Sequence, residues 1–152
     1  MVKKLCIVIT MCAISISTLA QGYNIERTAL TNFLVRMYEN APFEGVRAVD
    51  DYEQQYLISV LTLEKTKYPN ESAMFRVAGV KAMSQASRFF NGSSITSDLI
   101  IRTTEKSDGS GDTEMIEIID EKSVGFVKSL ELLTNLDIGN ERMVFIYFTP
   151  IK

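Results

Sequence analysis

The stretch Lys106-Ser-Asp-Gly-Ser-Gly-Asp-Thr-Glu-Met-Ile-Glu-Ile-Ile119 has two readings. As a calcium loop it would hold an ion between two helices. As a turn it would join two strands. Counted from Lys106, the ligand positions of an EF-hand loop fall on Asp108, Ser110, Asp112, Glu114 and Glu117, with Gly111 at the glycine position. The first position fails, because Lys106 puts a cation where an aspartate is needed. The flanks favour strands. Ile100, Ile101, Thr103 and Thr104 precede the stretch, and Ile116, Ile118 and Ile119 close it. Ser107 to Asp112 also carries the glycines and aspartates of a hairpin turn. The expectation is a hairpin tip joining a strand over residues 94–104 to one over 112–119, with no metal site and no cofactor.

Working back along the chain, Pro69-Asn70-Glu71 announces a helix, with Asn70 as N-cap and Glu71 in the first turn. Asn91-Gly92 is expected to end it with a left-handed residue. Phe75, Ala78, Gly79, Ala82, Ala86 and Phe89 share one face, and the small middle of that face predicts a helix lying flat on a sheet. Gly79 costs about 1 kcal/mol against alanine in a helix, and close packing there would compensate. An earlier helix is expected over residues 25–40. Asn24 caps it, Pro42 ends it, and Leu30, Phe33, Leu34, Met37 and Ala41 form its apolar stripe.

The remaining segments read as strands. Tyr52 to Leu63 is apolar on both faces and belongs in the centre of a sheet. Glu44 to Val49 would lead into it, and Ser123 to Leu133 and Arg142 to Thr149 would follow. The fold class is therefore α+β, with two helices packed on one face of a mostly antiparallel sheet of about four to six strands.

The N-terminus has the three parts of a secretory signal. Lys3 and Lys4 precede an apolar run from Leu5 to Leu19, and Thr18-Leu19-Ala20 supplies small residues at the cleavage positions. The run is shorter than the ~20 residues a spanning helix needs. Residues 1–20 are thus expected to be a signal peptide and residues 21–152 a single α+β domain. Removing 20 of the 152 residues leaves 132, enough for one domain with its own core. Both cysteines, Cys6 and Cys12, lie in the signal. Met11 before Cys12 does not fit the small residue that precedes a lipidated cysteine, so no lipid anchor is expected. An exported domain without disulfides must be held by packing alone, which favours a bacterial periplasm or cell surface.

Composition excludes several chemistries. There is no histidine, and no cysteine after the signal, so Ser–His–Asp, Cys–His and ordinary zinc systems are out. No glycine-rich phosphate loop occurs. Loss of Lys3 and Lys4 takes the formal charge from −3 to −5, and no basic stripe marks a nucleic-acid partner. Asp50, Asp51 and Glu53 are the densest acidic cluster and so a candidate for carboxylate hydrolysis, although a charged loop leading into a strand accounts for them better. The two glycosylation sequons, Asn70-Glu71-Ser72 and Asn91-Gly92-Ser93, fall on the expected helix ends.

The run from Ala78 through Ala86, Phe89, Asn91-Gly92 and Ser94-Ile95 resembles a segment of small bacterial envelope lipoproteins related to the N-terminal domain of the flagellar assembly protein FlgT. Ser123-Val124-Gly125-Phe126-Val127 and Val144-Phe145-Ile146-Tyr147 are similar to closing strands of that family. The likeness spans roughly residues 44–150 and implies an α+β envelope domain used in assembly or interaction. The chain departs from the family by its first helix and by lacking a fitting lipidation cysteine.

Two function classes follow: a non-enzymatic envelope domain that binds a protein partner, and a carboxylate-based hydrolase of a polysaccharide or envelope polymer. The exported protein is expected to begin at Gln21, as intact mass would show. A form retaining residues 1–20 would exclude cleavage, and a diacylglyceryl adduct on Cys12 would restore a lipoprotein.

Overall fold

Strand β2, Gln54–Glu64, is the axis of the fold. Its apolar residues occupy both sides of the pleat, so both faces must be covered. Leu57, Leu61 and Leu63 belong to a large buried cluster on one side, while Ile58 and Val60 are fully buried on the other. The computed structural model describes residues 25–51, 54–93, 95–103 and 112–151. They fall into two compact units, one ending at Asn40 and one beginning at Ala41.

The first unit contributes helix α1, residues 25–40. Leu30, Leu34 and Tyr38 are its buried residues, at four-residue steps, and Phe33 and Met37 flank them half-buried. The tyrosine therefore closes the stripe in place of Ala41, which is exposed beyond the helix end. Asn24, Gln21 and the whole signal segment lie outside the described residues.

The second unit is a five-stranded sheet in the order β3-β1-β2-β5-β4. Strand β1 is Gly45–Asp51, β3 is Ile100–Arg102, β4 is Glu131–Ile138 and β5 is Arg142–Ile151. All neighbours are antiparallel except β1 and β3. Strand β5 runs against β2 from Gln55↔Ile151 to Glu64↔Arg142. Gly139, at φ 60°, takes the left-handed conformation in the turn between β4 and β5. The α+β class and a mostly antiparallel sheet of five strands agree with expectation.

Helix α2, Glu71–Gly92, begins as its sequence predicts: the Asn70 side chain accepts a 2.8 Å hydrogen bond from the Ala73 N–H. Its ending differs. Gly92 is not left-handed, and the helix stops because Ser93 turns extended while its N–H still donates to the Phe89 carbonyl at 2.6 Å. Met74, Ala78, Ala82 and Ala86 are its buried residues, and they pack in one cluster with Leu57, Leu61 and Phe145 of the sheet. Phe75 meets Phe145 edge-on, with ring centres 5.1 Å apart. So close an approach lets Ser59 on β2 donate its hydroxyl to the Ala82 carbonyl.

The largest correction concerns residues 112–133. Asp112–Ser129 is a helix, α3, and only Glu131 onward is strand. Met115, Ile119 and Phe126 recur at helical spacing and are the buried residues of α3. Their burial in the α2–sheet cluster outweighs the strand preference of Ile116, Ile118, Val124 and Val127. Asp112 and Glu114 in the first turn and Lys128 in the last suit the helix dipole. Within the second unit, the two helices packed on the sheet are α2 and α3, so a helix the sequence reads as strand is one of the pair. A second correction follows at residues 94–104. Ser97–Leu99 is a 3₁₀ turn and the strand shrinks to Ile100–Arg102. Residues 94 and 104–111, with most of the expected hairpin tip, lie outside the described residues.

Two substitutions test the packing of α2. Ala82→Leu adds bulk to a fully buried contact and is expected to cost about 1–3 kcal/mol in urea unfolding. Gly79→Ala should do the opposite. A Cβ there would meet the Tyr147 hydroxyl at 3.5 Å, an ordinary contact, so no close approach demands glycine. The gain from helix propensity is expected to be roughly 0.5–1 kcal/mol.

Candidate functional site

The two acidic stretches of the sequence meet in space. In the parallel β1–β3 pair, Asp50 is the register partner of Arg102. The Arg102 guanidinium donates to the Asp112 carboxylate at the start of α3. Asp51 accepts a hydrogen bond from the Thr103 hydroxyl, and the Thr103 N–H donates to the Asp50 carbonyl at 3.1 Å. Asp50 is buried, and Glu53 lies outside the described residues.

These contacts join the edge strand β3 to β1 and to α3. They also engage the carboxylates that a hydrolase or a calcium site would need. Asp112 receives the guanidinium and Asp51 receives a hydroxyl, so neither is a free acid facing a cleft. Among the described residues no group of three metal-ligating side chains converges. The cluster therefore works as a clasp. It is partly shielded, with the Arg102 and Asp112 side chains 30% and 13% exposed. Asp112→Asn is expected to cost roughly 1–2 kcal/mol in urea unfolding, and the same change in an Arg102→Met background should cost much less.

A different place is shaped to receive a ligand. Strand β2 outruns β1, because the β1–β2 ladder ends at Gly45↔Val60. Gly45 has φ 118°, and Phe43 just before it sits under the Arg47 guanidinium, 4.7 Å from ring centre to Cζ. The last residues of β2 are thus left beside a cleft of about 380 Å³. The sequence builds one wall of it on α2. Lys81, Gln85 and Arg88 stand at steps of four and three on one side of the buried alanine stripe, so they form a row along the sheet edge. Gln85 anchors that row by donating to the Ser59 hydroxyl at 3.1 Å and the Val60 carbonyl at 3.0 Å. Glu44 stands opposite. The cleft continues past Thr62 and Leu63 to Lys67 and Arg142.

The charge of the cleft is opposite to that of the chain. Glu64 pairs with Lys67 at 3.0 Å. Among the described residues Lys81 and Arg142 make no ion pair, and Arg88 donates only to the Ser84 hydroxyl. Three cations thus face one unpaired carboxylate, Glu44. Sequence reasoning missed this site because its cations come from two distant segments, α2 and β5, and form no basic run. The usable signal was the helical spacing of Lys81, Gln85 and Arg88.

No protein-family model, curated protein or solved structure matches the chain. No helix among the described residues is long and apolar enough to cross a membrane.

Proposed function

We propose that this protein is a non-enzymatic binding domain of the bacterial cell envelope, acting through the cationic cleft between α2 and the end of β2. The signal-like N-terminus and a body without cysteine support export. The resemblance to envelope lipoproteins related to the FlgT N-terminal domain supports an assembly or interaction role. The observation that carries the reading is the charge of the cleft: three cations gathered on a chain whose net charge is negative. Long-range attraction through such a patch draws acidic partners to an otherwise acidic surface.

The hydrolase alternative has weaker support. The acidic side chains that the fold brings together, Asp51 and Asp112, are held by Thr103 and Arg102. A glycosidase needs two carboxylates flanking a bond, one of them protonated.

Lys81 and Arg88 are exposed, so reversing both leaves the core intact. The immobilised chain from Gln21 onward is expected to retain a specific protein from its native envelope extract. The Lys81→Glu/Arg88→Glu variant should lose that protein at an unchanged melting midpoint. Retention by the variant would move the binding surface elsewhere. Release of reducing ends from envelope polysaccharide, abolished by Asp112→Asn, would establish a hydrolase instead.

A further inference from the structure

The end of β2 presents more than charge. The Lys65 N–H donates to the Glu141 carbonyl at 2.7 Å, on the β5 side. Backbone groups along a strand alternate sides every residue. Leu61 and Leu63 therefore face β5 with Lys65, and Thr62 and Glu64 face the opposite way. That opposite side is where β1 has already ended at Gly45. Val60, the next residue of the same parity, agrees, since its carbonyl accepts from Gln85 in the cleft. The N–H and C=O groups of Thr62 and the N–H of Glu64 thus point into the cleft, and among the described residues no backbone group pairs with them, while the Glu64 carbonyl closes the 3₁₀ turn Lys65–Lys67.

From this geometry we infer that the cleft takes an extended acidic peptide segment of a partner protein, which adds as a short strand along Thr62–Glu64 in line with β1. Strand addition to an open edge gives main-chain hydrogen bonds at alternate residues. The flanking side chains then choose the sequence. Lys81 and Arg88 on one wall, and Arg142 at the far end, match carboxylates on the incoming strand. Gln85, whose amide hydrogens are engaged by Ser59 and Val60, offers its carbonyl oxygen to a donor on that strand. A carboxylated polysaccharide would satisfy the cations but not the alternating donors and acceptors of the strand edge.

This inference rests on the cleft's being the binding surface, and its test separates the two ideas. The probe is a fluorescein-labelled short peptide of alternating threonine and glutamate, read by anisotropy against the full exported chain. Three further ligands are compared: the same peptide with alternate backbone amides N-methylated, a threonine–lysine peptide, and polygalacturonate. Saturable binding of the acidic peptide is expected, weakened at least tenfold by Lys81→Glu/Arg88→Glu. The methylated and lysine peptides should bind at least tenfold more weakly than the acidic one. Equal binding of the methylated peptide would overturn strand addition. Tighter binding of polygalacturonate would overturn the peptide assignment. Absence of acidic-peptide binding would also overturn it, whereas loss of the envelope partner from the charge-reversed variant would still stand as evidence for the cleft.

Discussion

The close approach of α2 to β2 is the constraint on which this molecule depends. Ala78, Ala82 and Ala86 have side chains too small to hold the helix away from the sheet, so its backbone comes within hydrogen-bonding reach of Ser59. A buried hydroxyl is then satisfied by a helix carbonyl, and Gln85 completes the same small network. This contact fixes the rotation of α2 about its own axis. Once the alanines face the sheet, Lys81, Gln85 and Arg88 have one place to go, beside the end of β2. The cleft is therefore a by-product of core packing, and a residue that pushed α2 outward would displace its cations as well.

Charge is divided between two roles. At the β1–β3 end, Arg102 and Asp112 neutralise one another, Thr103 hydrogen-bonds Asp51, and both contacts tie a three-residue edge strand to the body of the fold. At the β2 end, among the described residues, Lys81, Arg88 and Arg142 face the single unpaired carboxylate of Glu44. Paired charges on a partly shielded surface hold structure together, whereas unpaired ones on an exposed rim act on what approaches. The same contrast separates Asp51 and Asp112, which are held by Thr103 and Arg102, from Lys81 and Arg142, which make no ion pair among the described residues.

Much of this fold was legible in the sequence, for physical reasons that also mark where legibility ended. Helices α1 and α2 were visible because apolar residues recur at helical steps between a cap or a proline. Strands β1, β2 and β5 were visible because β-formers occupy both faces of long runs. Helix α3 was hidden by Ile116, Ile118, Val124 and Val127, whose local preference for strand is overruled by the burial of Met115, Ile119 and Phe126. The glycine–aspartate stretch before it then looked like half a hairpin. Strand β3 is short and lies parallel to β1 in an otherwise antiparallel sheet, a pairing for which local sequence carries no mark. The clasp and the cleft were illegible for a related reason. Asp50 and Arg102, or Lys81 and Arg142, are neighbours only after the chain has crossed the sheet.

Gly45 has an effect beyond ending β1. By turning the chain away at Val60 it leaves a bare strand edge, and such edges invite copies of the same protein to stack into aggregates. Here the edge is short, and Lys81, Arg88 and Arg142 stand around it. Two copies meeting edge to edge would bring these cations face to face in a confined cleft, where like charges repel. The arrangement thus opposes pairing of the edge with a second copy of itself, while the charge would favour a strand of opposite sign.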